Sequence, residues 1–346
     1  MDDIGWDEAW AAQFVEHAAM GLVPARVAVG HRGQCVLSTD GGERSARVAG
    51  RLRRQGEDVA VGDWVAAAPG SGDWRVDAVL PRRTLLVRRE AGTRERPQVL
   101  AANVDVVFVV AGLDGDFNPR RVERTLVAVA DSGARAVVLL NKADACDEVG
   151  PRSEQMRRAA GEAPLHVISA LRGDGVDEVR AHIGRGTTVV LLGSSGAGKS
   201  TLANRLLGRE RQATAAVRED DSRGRHTTTR RELMVLPGGG VLIDTPGLRE
   251  LQLWAGGAAA GAAFDDVESL AASCRFADCG HAAEPGCAVL AAVAGGTLDG
   301  ARLLSYRKLR AELRHAERQV DAEARRLQER RWRTIHKAAR RHRPRW

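Results

Sequence analysis

Two short stretches of this chain carry residue types whose spacing could do chemistry on a nucleotide. Gly193-Ser194-Ser195-Gly196-Ala197-Gly198-Lys199-Ser200 fits the pattern G-x-x-x-x-G-K-[ST] and runs on into Thr201. Glycines there let backbone N–H groups turn inward around phosphate oxygens, and the start of a following helix favours negative charge. Lys199 is placed to reach the β and γ phosphates, and the Ser200 hydroxyl to ligate Mg²⁺. Asn141-Lys142-Ala143-Asp144 adds a carboxylate suited to a base. Guanine presents adjacent N1–H and N2–H donors that one fixed carboxylate can accept together, a pair that adenine lacks. Asp144 is the candidate acceptor, with Asn141 holding the loop and reading the base edge and the Lys142 stem lying over the ring. Alone, these four residues would fit any surface turn with a helix-capping Asp. Ser169-Ala170-Leu171 matches a further loop, of S-A-[KL] type, whose backbone N–H can meet guanine O6.

Asp244-Thr245-Pro246-Gly247 supplies a D-x-x-G after the phosphate loop. Asp244 is expected to bind Mg²⁺ through water, and the Gly247 N–H to sense the γ-phosphate. Between the two motifs lies Ser222-Arg223-Gly224-Arg225-His226-Thr227-Thr228-Thr229. Thr228, with Thr227 close behind, is the candidate to complete the metal shell and close over the phosphate. Leu248 stands where many GTPases carry the Gln that orients the attacking water, so help must come from elsewhere. His226 is the candidate for positioning that water; the plain alternative is a solvent-exposed loop histidine. His226, Thr228 and Gly247 are thus the candidate catalytic residues.

Cys274-x4-Cys279-x-His281-x5-Cys287 offers three thiolates and an imidazole, the number a closed tetrahedral zinc site needs. Four protein ligands leave no open position, so the expected ion is one structural Zn²⁺. Cys35 and Cys146 have no partners by spacing and read as ordinary small side chains.

These groups need elements to position them. Val104–Val110, Ala136–Leu140, Leu165–Ile168, Thr188–Leu192 and Val241–Ile243 are continuous apolar runs, suited to strands buried on both faces. The last four end directly at Asn141, Ser169, Gly193 and Asp244, so these motifs sit just past a strand's carboxyl end, where open parallel sheets place ligands. Helical segments between them, such as Pro119–Ser132, complete an α/β pattern. From Val23 to about Glu90, short apolar runs alternate with turn residues, which predicts a small five-stranded barrel of the oligonucleotide-binding (OB) type. Residues 1–21 read as an N-terminal arm, 22–97 as the barrel, 98–255 as the α/β domain, and 256–346 as a zinc-binding helical module with a basic tail. Ala255–Ala263 reads as a linker, and helix is expected from Leu303 to about Arg333.

With 346 residues, 44% of them hydrophobic and 28% charged, the chain has room for two or three domains. No apolar run reaches membrane-spanning length, and the acidic start Met1-Asp2-Asp3-Ile4 lacks the features of a signal peptide. A cytoplasmic monomer with no membrane partner is expected. The net charge is +7, yet residues 301–346 hold 16 Lys/Arg against 5 Asp/Glu. The basic character therefore lives in the tail, and a polyanion, RNA first, is the expected partner.

The order of the motifs narrows the reading further. The guanine element precedes the phosphate loop, the reverse of an ordinary GTPase. Together with Gly224–Thr229, Asp244–Gly247 and the four zinc ligands, this order resembles the RsgA (YjeQ) family of circularly permuted, ribosome small-subunit-dependent GTPases, over roughly residues 22–320. The resemblance implies an OB barrel, a permuted P-loop α/β GTPase domain and a zinc module. It further implies late maturation of the small (30S) ribosomal subunit, with that subunit and its rRNA as partners and with GTP hydrolysis stimulated by the subunit and followed by release. Two other readings compete. A P-loop kinase would have no use for Asn141 and Asp144, and an RNA-binding scaffold that merely holds nucleotide is kept open by the missing Gln.

Overall fold

The computed structural model describes residues 1–31, 33–88, 98–208, 231–244, 264–311 and 314. Most of the basic tail, Ala255–Ala263, His226, Thr227, Thr228 and Gly247 lie outside the described residues. The chain divides into two compact units, Met1–Gln252 and Leu253–Trp346.

In the first unit, β1 (Val23–His31), β2 (Gln34–Thr39), β3 (Gly42–Val48), β4 (Trp64–Ala68) and β5 (Trp74–Val79) form a closed barrel. Its order is β1-β2-β3-β5-β4 and back to β1. Only the β3–β5 pairing is parallel. Helix α2 (Gly50–Gln55) bridges β3 and β4 and ends on Gly56, whose left-handed φ of 76° suits a residue without a Cβ. Ala25, Val27, Leu37, Val48, Val65 and Val76 fill the inside.

A hairpin of β6 (Leu85–Arg88) and β7 (Gln98–Ala102) leads into the α/β part. There β8 (Val106–Gly112), β9 (Arg135–Asn141), β10 (Leu165–Val167), β11 (Thr188–Leu192), β12 (Glu232–Val235) and β13 (Val241–Asp244) lie in the order β10-β9-β8-β11-β13-β12. All neighbours are parallel except β12 against β13. Side chains on a strand alternate between faces, so an unbroken apolar run must serve two cores. Val106, Phe108 and Val110 enter one core with Val137, Leu139 and Leu242, beneath Leu202 and Leu206 of α6 (Lys199–Leu207). Val107, Val109 and Ala111 enter the other, with Val138, Leu140 and Ile243 and with Val122 and Val129 of α3 (Pro119–Asp131). Two further helices, α4 (Val149–Ala160) and α5 (Val176–Arg180), complete the connections.

The second of these cores does not stop at the α/β sheet. Trp64, Ala66 and Ala28 from the barrel wall belong to it, together with Trp10 and Phe14. The latter pair lies one turn apart on α1 (Glu8–Ala19), which starts on an Asp7 side chain that accepts the Trp10 N–H at 2.9 Å. The N-terminal segment is therefore packed, not an arm in solution. Barrel and sheet also touch through one β-bridge, Val29 opposite Glu232.

At this joint lies Arg26, 1% exposed. Its guanidinium donates to the carbonyls of Gly62 (3.2 Å) and Asn103 (3.1 Å), to the Thr188 hydroxyl (2.8 Å) and to the carbonyl of Ile4. Burial lowers its pKa to about 10, against the raising fields of Asp105 and Asp63, so it stays charged at neutral pH. Four segments meet on one side chain.

The second unit holds α7 (Asp265–Ala271), α8 (Ala288–Ala294) and a helix over 300–311. Phe264, Val267, Val289, Leu298, Tyr306 and Leu309 are buried among them. No helix among the described residues is long and apolar enough to cross a membrane.

Replacing Arg26 by Met removes the donors and leaves buried acceptors unpaired, each costing about 1–3 kcal/mol. Arg26→Met is expected to lower the stability of the first unit by about 3 kcal/mol or more. The check is the urea midpoint at unchanged m-value; an unchanged midpoint would show that the apolar isostere serves as well.

Candidate nucleotide and metal sites

The carboxyl ends of β8, β9, β10, β11 and β13 lie along one edge, and the motifs stand on them. Gly193 follows β11, and Lys199 opens α6 behind Gly198. Gly193, Gly196 and Gly198 have φ values of 149°, 82° and 92°. Two of them also answer to close neighbours. A Cβ on Gly193 would meet the Val110 carbonyl oxygen at 2.1 Å, and one on Gly198 would meet Asn141 Nδ2 at 2.1 Å. The Lys199 ammonium donates to the carbonyls of Gly193 (2.8 Å) and Ser194 (2.6 Å), which keeps its charge at the loop.

Asn141 ends β9 and is 2% exposed. Its Nδ2 donates to the Ala197 carbonyl at 2.8 Å, and its Oδ1 accepts the Ala170 N–H at 2.9 Å. One amide thus ties the phosphate loop to the Ser169–Leu171 loop. The sequence reading gave Asn141 two tasks, holding the loop and reading the base edge; the bonds made here are of the first kind. Lys142 turns left-handed, with φ 69°, and leads into a 3-10 turn over Ala143–Ala145. Asp144 Oδ1 accepts the Ser169 hydroxyl at 2.5 Å. Its other oxygen takes no partner among the described residues.

The Ala170 amide is committed to Asn141, and those of Ser169, Arg172 and Gly173 are bonded within their own loop. From Ser169 to Gly173, the Leu171 N–H alone has no partner among the described residues. Such an N–H is free to donate to a carbonyl oxygen of a ligand. The Leu171 side chain is 67% exposed.

Asp244 closes β13, next in the sheet to β11, with Ile243 opposite Val190. Its carboxylate stands at a strand end and the Ser200 hydroxyl in the first turn of α6, which follows the neighbouring strand; both are hard oxygen donors, of a kind that suits Mg²⁺. His226, Thr228 and Gly247 are not among the described residues.

Two site-adjacent acids escaped the sequence reading. Asp114 and Asp116 follow β8, and Asp114 Oδ2 pairs with Lys142 Nζ at 2.5 Å. Asp116 Oδ1 pairs with Arg121 at 2.6 Å, and its Oδ2 accepts the Ser194 hydroxyl. The available signal was their position just past a buried strand.

In the second unit, the ligand atoms of Cys274, Cys279, His281 and Cys287 all lie within 4.8 Å of one another. Cys274 Sγ stands 3.6 Å from His281 Nδ1 and 3.8 Å from Cys287 Sγ, and the last two atoms are 3.4 Å apart. Donors about 2.0–2.3 Å from a tetrahedral zinc stand roughly 3.4–3.8 Å apart, so the set fits. The loop is shaped for it. His281 takes a left-handed φ of 54°, and the Glu284 carboxylate accepts the N–H groups of Gly280 (2.9 Å), Ala282 (2.7 Å) and Ala283 (3.0 Å). Those amides, Ala282 above all, hold the Glu284 pKa down to about 2. Cys35 is buried in the barrel, where desolvation raises its thiol to about 11, which fits an inert packing role.

Comparison with known proteins agrees with this geometry. The family profile described as RsgA GTPase matches residues 79–254. A protein of Opitutus terrae named small ribosomal subunit biogenesis GTPase RsgA is 48% identical, with 98% of this chain and 97% of that protein covered. One of the same name from Syntrophotalea carbinolica is 46% identical over 96% and 94% of the two chains. Among solved structures, YjeQ from Thermotoga maritima aligns with a TM-score of 0.63 at 25% identity, covering 84% of this chain and 98% of that one. YloQ, described as a circularly permuted GTPase, shares the fold at a TM-score of 0.59 and 21% identity, over 85% and 96%.

Two measurements follow from the geometry. Asp144→Asn replaces an acceptor-only group by an amide and is expected to weaken GTP binding about tenfold or more, as loss of a charged hydrogen bond does. Titration with a fluorescent guanine nucleotide reads this, and unchanged affinity would remove Asp144 from the base. Metal analysis of the purified chain should find about one zinc per molecule, lost in Cys279→Ser together with amide-exchange protection across 264–311. A metal-free chain with full protection there would refute the structural zinc.

Proposed function

We propose, from the premise that the chain belongs to the RsgA GTPase family and is a GTP-hydrolysing enzyme, that it acts in late maturation of the small ribosomal subunit. It binds the subunit in its GTP state, hydrolyses GTP to GDP and phosphate there, and leaves. One observation carries the nucleotide half of this reading: Asn141 draws the phosphate loop and the Ser169–Leu171 loop together beside Asp144. The subunit half is supported by the printed name of relatives at 46–48% identity over nearly the whole chain.

In this reading Asp144 accepts the N1–H and N2–H of guanine, Leu171 offers its N–H to O6, and the Lys142 stem covers the ring. The backbone from Gly193 to Thr201 and the Lys199 ammonium surround the phosphates. Ser200 and Thr228 would hold Mg²⁺, with Asp244 reaching it through water; the ion supplies charge neutralisation on the β and γ oxygens. His226 orients the attacking water in place of the Gln that Leu248 replaces, and Gly247 reports the γ-phosphate. Loss of that phosphate changes the switch segments and so the hold on the subunit. Only 26 residues of chain separate Gly247 from Cys274, so the change has a short covalent route to the zinc module. We place the protein in the cytoplasm as a monomer, with rRNA met by the barrel, the zinc module and the basic tail.

The deciding experiment is GTP turnover by the purified protein alone and with small subunits, large subunits or bare RNA. Small subunits alone should raise the rate by about a hundredfold or more, since a group supplied in trans is worth on the order of a thousandfold in phosphoryl transfer. Stimulation by none of them would leave a GTPase whose partner is not the small subunit.

A further inference from the structure

The loop between β8 and α3 belongs to none of the motifs that define the nucleotide site, yet it is fastened to two of them. Gly112 ends β8, and a Cβ there would stand 2.5 Å from Asp114 Oδ1, so the missing side chain is what lets Asp114 fold back over the strand end. Asp114 Oδ1 accepts the Asp116 N–H at 3.2 Å, and the Asp114 carbonyl accepts the Phe117 N–H at 3.1 Å. Arg152 holds the Leu113 carbonyl at 2.7 Å, the Leu113 N–H donates to the Asn141 carbonyl at 2.8 Å, and Asn118 caps α3. The loop is therefore fixed from below, and its two carboxylates are aimed.

Their targets are specific. Asp114 holds the ammonium of Lys142 at 2.5 Å, and Asp116 holds the hydroxyl of Ser194, the second residue of the phosphate loop. Acids beside a phosphate site would repel the ligand if their charge were left bare. Here Lys142 offsets one and Arg121 the other. Burial pushes both carboxyls up. The Lys142 bond at Asp114, and the Ser194 and Arg121 bonds at Asp116, outweigh it and leave each below the ordinary carboxylate range. Both are ionised at neutral pH and can act as acceptors.

We propose that Asp114 and Asp116 are positioning residues for the nucleotide: Asp114 aims the Lys142 side chain along the guanine ring, and Asp116 holds the phosphate loop open at Ser194. The proposal deepens the guanine-nucleotide reading of this site and rests on it. Freed of Asp114, Lys142 loses the anchor at its far end, and its stem must be ordered at the expense of binding. Freed of Asp116, Ser194 can turn its hydroxyl elsewhere, and the loop relaxes before phosphate arrives.

Equilibrium binding of fluorescent GDP and of a non-hydrolysable GTP analogue to the full chain tests this, arranged as two double-mutant cycles. Asp114→Asn and Asp116→Asn should each weaken binding by about two- to fivefold, the scale of a half-exposed charged bond. Asp114→Asn should add almost nothing in a Lys142→Met background, nor Asp116→Asn in a Ser194→Ala background. A merely structural role would give losses that add to those of the partners. Should Asp116→Asn fail to fold, Ser194→Ala reads the same bond from its other end. Variants that bind as tightly as the wild type, or additive losses, overturn the assignment while leaving the nucleotide reading intact. A wild-type chain with no affinity for either nucleotide would overturn the nucleotide reading itself.

Discussion

The amide of Asn141 is the constraint on which the site depends. A single buried side chain satisfies the Ala197 carbonyl of one loop and the Ala170 N–H of another. Such a bridge is rigid because neither partner has water to turn to, and an unpaired buried group costs more than the bond returns. It exists only because Gly198 has no Cβ to occupy the place of Nδ2. The glycine that allows a tight loop after β11 therefore also admits the residue that connects it to the Ser169–Leu171 loop. The loop after β11 and the loop after β10 are thereby held to one another through a single side chain.

Chain order matters little to this arrangement, which is why the permuted sequence can be read at all. The site is a set of strand ends, and the sheet places β9, β8, β11 and β13 side by side whichever is made first. Apolar runs that terminate at Asn141, Gly193 and Asp244 were visible in the sequence because strands buried on both faces allow almost nothing else. The barrel was visible for a related reason, the regular return of turn residues. The Cys274, Cys279, His281 and Cys287 cluster was visible because few roles other than holding a metal ask for three cysteines and a histidine within so short a stretch.

What stayed hidden depends on contacts between distant residues. Asp114 and Asp116 look like ordinary loop acids until the fold brings them to Lys142 and Ser194. Glu284 looks like a surface charge until the turn around His281 aims three amides at it. The sequence offered Asn141 both a loop-holding and a base-edge role, and offered the Ser169–Leu171 loop as a whole for the O6 contact. Only the bonding pattern distinguishes the occupied Ala170 amide from that of Leu171, which has no partner among the described residues. Nor does periodicity tell that Trp64 and Ala66, on the barrel wall, share a core with the α/β sheet.

Arg26 carries a consequence for how the protein is made. Its acceptors are Ile4, Gly62, Asn103 and Thr188, and the last lies 162 residues further along the chain. At about 5–20 residues per second, a ribosome needs roughly 8–30 s to deliver that hydroxyl after Arg26 has been added. During that interval the nascent barrel holds a charged group whose shell is incomplete and whose neighbouring tryptophans await the rest of their core. The barrel is thus first in synthesis but not first to reach its final state. The chain thus spends its early life on a translating ribosome as an unfinished molecule, its barrel and α/β part maturing together.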